Sequence, residues 1–249
     1  MNTEVKWPSA NSGAQISGSH SGVAVEPPAR MQKIAAGPAE SIIARIESQI
    51  RPAEIKRRLL HASPGVFPYI FYFCPQSDPL ETWSLWVVTA TCVVAAIAAL
   101  MMSRVFLREG ERGWATSVLS FVGIVPLLLW LFPGKSEIVC GVVSIIAFGD
   151  SIATFTGLMC RGRALPWNPA KSWIGSAAFI VGSLPLAVLA FWLQTRPSIS
   201  LGIAMACILP AVVLAAIAES LPSRINDNIR IGIVSAVTII IMHGLLIGG

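Results

Sequence analysis

An aspartate, Asp150, stands inside an otherwise apolar run of this chain, and a loop carrying Arg161, Arg163, Asn168 and Lys171 follows it. An ionisable side chain at the centre of a membrane segment costs about 2.5–3.5 kcal/mol on insertion scales, so it marks a functional site by default. Read as a helix, Asp150, Ala153, Thr154 and Gly157 fall at i, i+3, i+4 and i+7, a narrow stripe of small and polar residues among bulky ones. Such a stripe faces other helices or a wet cavity, not lipid. The loop beyond it gathers Arg161, Arg163 and Lys171 in a short space, while Pro166 and Pro169 hold Asn168 and its neighbours extended. Cations on an extended backbone suit a phosphate.

A second loaded loop is AAIAESLPSRINDNIRIG, residues 215–232. Glu219 closes an apolar helix, Pro222 stops it, and Asp227 sits between Asn226 and Asn228. Hard oxygen ligands of this kind suit Mg²⁺, which takes one or two carboxylates and leaves the rest of its shell to substrate phosphates and water. The same Asn-Asp-Asn run can also cap the helix that follows.

The elements that must position these groups follow from composition. With 54% hydrophobic and 12% charged residues in 249 and a mean hydropathy of +0.69, the chain reads as an all-α, polytopic transmembrane bundle. Its net charge of +5 is spread over short segments between apolar runs, which argues for membrane topology and against a nucleic-acid partner. The five cysteines show no CxxC or Cys/His spacing and read as small buried hydrophobes.

Residues 1–38, rich in Ser, Gly, Ala and Pro, read as a disordered tail without a compact apolar leader. Residues 39–58 read as an amphipathic helix on the membrane surface, with Ile42, Ile43, Ile46 and Ile50 on one face and Pro52 breaking the run. Candidate spans are 59–74, 83–103, 113–134, 139–159, 172–195, 197–218 and 231–249. The first is short and holds Pro64 and Pro68, so it is expected to be kinked or re-entrant; seven spans follow if it crosses, six if it does not. With the N-terminus cytoplasmic, every Lys and Arg but Lys135 and Arg196 falls on the cytoplasmic side, together with both loaded loops. Trp83, Trp86, Trp114, Trp130 and Trp173 lie near span ends as interfacial anchors.

Three segments in order, GDSIATFTG (149–157), LPWNPAKSWIGS (165–176) and ESLPSRINDN (219–228), resemble the phytol and farnesol kinase group. That group belongs to the polyprenol kinase family, with dolichol kinase and the CTP-dependent diacylglycerol kinases. EIKRRLLHASPG (54–65) is similar to the basic-His-Gly segment that opens the membrane part of the family. The resemblance implies that 59–249 is a lipid-alcohol kinase domain. Its reaction would be Mg²⁺-dependent transfer of the γ-phosphate of a nucleoside triphosphate, typically CTP, to an isoprenoid alcohol such as phytol, geranylgeraniol, farnesol or dolichol. A bacterial cytoplasmic membrane is the expected setting. Phosphoryl transfer needs a metal bridging phosphates, cations on the oxygens and a carboxylate at the attacking hydroxyl. Asp150 with Glu219 or Asp227 would serve around Mg²⁺, and Lys171 on the triphosphate, with Arg161, Arg163, Asn168 and Ser172 as further phosphate contacts; either acid can be ligand or base.

The chain departs from the phytol kinase pattern in having Thr154 where a second acid is usual, and Leu158 and Met159 where a basic pair is usual. His61 is either a phosphate contact or an interfacial residue, and His243 is read as structural. Two other readings are open to this composition. A phosphatidate cytidylyltransferase would also take CTP, but its Lys-Arg and Lys-Asp pairs are missing from 219–231. A transporter would use Asp150 as an ion site and would be expected to carry internal repeats, of which the spans give no sign.

Overall fold

In the computed structural model, residues 52–74, 77, 79–101, 114–160 and 162–248 are described. The tail expected at 1–38, most of the expected surface helix (39–51) and Arg161 lie outside them. Five helices are long and apolar enough to cross a membrane: α3 (Thr82–Met101), α5 (Ser136–Cys160), α6 (Trp173–Gln194), α7 (Leu201–Ser220) and α8 (Asp227–Leu246). A further apolar helix, α4 (Trp114–Leu131), pairs with α3. The protein is an all-α, polytopic integral membrane protein.

The centre of the bundle is α5. It is apolar on nearly every side, as a helix must be when other helices surround it: 78% of its most apolar window is buried, against 11% for α3. Its neighbours are chiefly α6 and α8, while α7 packs on α6 and α8. Close approach of α5 and α6 depends on Gly149, next to Asp150, because a Cβ there would lie 2.5 Å from the Phe179 ring. Phe179 is wholly buried and has nowhere to retreat. Gly149→Ala is therefore expected to cost about 1–3 kcal/mol, the range for over-packing a filled core, read as a lower midpoint of thermal unfolding in detergent.

The 59–74 segment does not form one helix. It begins as α1 (Pro52–Ala62), tightens into a 3-10 turn at Ser63–Val66 and resumes as α2 (Phe67–Tyr72). Pro64 and Pro68 stand in the first turns of the second and third pieces, where a missing N–H does no harm. The pieces nevertheless run along the bundle. Arg58 meets Asp150, Gly65 lies on Phe148, the Tyr69 hydroxyl donates to Leu186 O at 2.8 Å, and Gln194 Nε2 donates to Pro68 O at 3.0 Å. Arg196, beyond the end of α6, sits over the Tyr72 ring. The segment is a kinked passage from one end of the bundle to the other. Pro52 opens α1, so the expected boundary at residue 58 between a surface helix and the membrane part falls inside one helix.

The final helix begins four residues before the expected span, at Asp227. Its cap is Asn226, whose side chain accepts from Asn228 N at 2.9 Å. Asp227 is thereby left to act elsewhere. His243 faces Glu137 at 3.0 Å, both buried, and ties α8 to the start of α5 at the end remote from Asp150.

Candidate functional site

Between α5 and α6 lies the only β-structure among the described residues, a hairpin of β1 (Ala164–Leu165) and β2 (Asn168–Ser172). Pro166 stands in the two-residue turn of the hairpin and Pro169 in β2, and neither lets this stretch join a helix. The hairpin is fastened to the end of α7. Asn168 Nδ2 donates to Ser220 O at 3.1 Å and Trp167 Nε1 to Ser220 Oγ at 3.3 Å. Ser172 caps α6, its Oγ accepting from Gly175 N at 3.1 Å. These bonds set Lys171, one residue before the cap, against Glu219, one residue before Ser220.

Lys171 Nζ donates to Glu219 Oε1 and, at 3.3 Å, to Asp227 Oδ2. Arg230 Nη2 holds the other oxygen of Asp227 at 2.5 Å, and Arg230 Nη1 reaches Leu221 O at 2.7 Å, pinning the turn between α7 and α8. Asn226 and Asn228 both donate to Ser117 at 3.0 Å, fixing the same turn to α4. From the middle of α5, Asp150 completes the group: one carboxylate oxygen from each of Asp150, Glu219 and Asp227 lies within 4.8 Å of the others. Three acids separated by 69 and 8 positions in the chain are thus one cluster.

The sequence reading missed the partner of Asp150. Arg58 Nη1 donates to Asp150 Oδ2 at 2.6 Å, and its Nε donates to Glu54 Oε1 at 3.1 Å. His61 Nε2 stands 3.5 Å from the same Asp150 oxygen. The signal was present in Glu54, Arg58 and His61 at i, i+4 and i+7, one face of α1. Three carboxylates meet three cations, Arg58, Lys171 and Arg230, so the protein alone balances the cluster. Burial opposes the Lys171 charge, but Glu219, Asp227 and Asp150 outweigh it and hold the ammonium above its ordinary range. Lys171 therefore stays protonated at any neutral pH.

Two cavities meet at this cluster. One, of 380 Å³, has Asp150, Asp227, Arg58 and His61 on its polar side. The other, of 400 Å³, lies under the hairpin beside Glu219, Ser172 and Gly157. Arg58, Thr154 and Lys171 border both. The stripe Asp150, Ala153, Thr154 and Gly157 does face these cavities. Asn168 is committed to the clasp on Ser220, with its Oδ1 accepting from Ala170 N at 3.3 Å, and Arg163 is exposed, its backbone carbonyl accepting from Trp173 N. Ser172 is both a cap and a cavity wall.

The three carboxylates are hard oxygen donors of the kind Mg²⁺ takes, and the Lys171 ammonium already lies between Glu219 and Asp227. No protein-family model, curated protein or solved structure matches the chain.

Proposed function

We propose that the protein is a membrane kinase that transfers the γ-phosphate of a nucleoside triphosphate, CTP first among the donors to test, to the hydroxyl of an isoprenoid alcohol. The observation that carries this reading is the convergence of Asp150, Lys171, Glu219 and Asp227 from four separate segments at the junction of two cavities. Glu219 and Asp227 would hold Mg²⁺, which supplies charge neutralisation on the phosphate oxygens. Lys171, held between Glu219 and Asp227, would turn its ammonium to the γ-phosphate oxygens. Asp150 accepts the proton of the attacking hydroxyl as the new O–P bond forms and the bond from Pγ to the β-phosphate oxygen breaks, releasing the nucleoside diphosphate. Arg58 keeps the Asp150 carboxylate oriented and adds a second cation beside the transferred group. Positioning and charge do nearly all the work in such a transfer. The two loaded loops would face the cytoplasm of a bacterial cell.

The test is purified protein in detergent with Mg²⁺ and CTP labelled either at the γ-phosphate or in the cytidine, offered phytol, geranylgeraniol, farnesol, dolichol, diacylglycerol and phosphatidate. Transfer of γ-label alone to one isoprenoid alcohol is the expected result. Cytidine label on phosphatidate would replace the kinase with a cytidylyltransferase. No transfer from CTP, UTP or ATP in folded protein would remove both.

A further inference from the structure

The two cavities differ in what surrounds them. The first has an apolar wall opposite Asp150, made by Ala95 and Ala99 of α3 and by Val118 and Phe121 of α4. Apart from the buried Leu85 and Ala96, α3 presents a largely exposed surface that includes Val93, Val94 and Ile97, and its main neighbour is α4. In a bilayer that exposed face meets lipid, so a wall only one helix thick separates the first cavity from the acyl chains. The second cavity has no comparable wall. It is enclosed by Ala153 and Gly157, the hairpin, and the first turn of α6, where the Ser176 hydroxyl is buried without a hydrogen-bond partner. Asp150 borders the first cavity and Glu219 the second.

We infer that the first cavity is the acceptor chamber, seating a membrane-resident alcohol with its hydroxyl at Asp150 and its chain against α3 and α4, while the second holds the phosphates of the donor. This assignment rests on the kinase reading for its two ligands. Small residues at Ala95 and Ala99, one turn apart on α3, leave room for an unbranched or methyl-branched chain, and the Phe121 ring, tilted against His61 with centroids 5.2 Å apart, limits how far the head can enter. The junction at Lys171 and Thr154 is the place where the phosphoryl group crosses from one chamber to the other.

The full chain in phosphatidylcholine nanodiscs is photolabelled with geranylgeraniol carrying a diazirine in its tail, and the modified peptides are mapped. Label on 82–101 or 114–131 is expected, and label on the hairpin or the first turn of α6 would overturn the assignment. In steady-state kinetics Ala99→Trp is expected to raise KM for the alcohol about tenfold and leave KM for CTP nearly unchanged, with Ala170→Trp doing the reverse. The opposite pairing would also overturn it. Should Ala99→Trp fail to fold, Val118→Trp fills the same chamber from the facing helix. The photolabel needs no turnover: label on α3 or α4 without any transfer would refute the kinase while keeping the chamber, and transfer with label elsewhere would refute the chamber alone.

Discussion

Replacing Lys171 with alanine is expected to abolish phosphoryl transfer to within about a thousandth of the original rate, and to make the stability of the protein depend on Mg²⁺. The first effect follows from the loss of the one lysine between the acids and the transferred phosphate; a single cation in that position contributes about 10³–10⁵ in comparable transfers. The second follows from charge. Glu219 is 2% exposed and donates nothing itself, so without the ammonium it faces Asp227 and Asp150 within 4.8 Å as an uncompensated buried anion. Breaking a buried pair on one side costs about 3–5 kcal/mol. A divalent cation held by Glu219 and Asp227 would restore that compensation, and the gain would grow with the logarithm of its concentration. Thermal unfolding of the variant in detergent, with and without millimolar Mg²⁺, reads both the loss and the recovery. The original protein, already balanced by Lys171, should respond far less. A variant whose unfolding midpoint ignores Mg²⁺ would mean that these carboxylates are a structural ion-pair network and not a metal site. Lys171→Arg separates the roles further: it keeps the charge and hence the stability, but the broader guanidinium cannot follow a point-charge path from carboxylate to phosphate, so activity should stay low.

Asp150, Lys171, Glu219 and Asp227 were legible in the sequence because ionised groups in or beside apolar helices have few inexpensive explanations. Five of the spans were legible for the same reason that composition is: about twenty apolar residues have one comfortable environment. Arg58 was not. A basic residue on a helix next to water is ordinary, and its partner lies 92 positions away; only its place on the face shared by Glu54 and His61 set it apart from Lys56 and Arg57. Asn168 and Ser172 were singled out for their capacity to bind phosphate, but the same donors and acceptors serve a clasp and a cap, and sequence does not say which backbone group will be nearest. The kink at 63–68 was visible as two prolines; that the broken pieces still traverse the bundle depends on Tyr69, Gln194 and Arg196 meeting across it, which is a tertiary fact. The β-hairpin likewise needed Ser220 to dock against.

Asp150→Asn is expected to lower kcat by about 10²–10⁴, the range for a side chain that takes a proton in the transition state, while leaving the fold intact. The amide is nearly isosteric and can still accept from Arg58 at the position of the 2.6 Å bond, and Arg58 keeps Glu54 as a charged partner. One fewer negative charge beside Glu219 and Asp227 offsets the lost attraction to Arg58. Arg58→Met should behave in the opposite way. It strands the Asp150 carboxylate in the bundle, with only the His61 imidazole at 3.5 Å beside the same oxygen, and is expected to cost about 3–5 kcal/mol. The double variant decides between a catalytic and a merely structural Asp150. With both charges gone, stability should return most of the way towards the original, the coupling that a double-mutant cycle isolates for two groups in contact. Activity should not return, since no carboxylate then faces the acceptor hydroxyl. If the double variant regained transfer along with stability, Asp150 would be serving only to hold Arg58, and the proton of the attacking hydroxyl would have to leave by way of Asp227, the other acid that borders the same cavity.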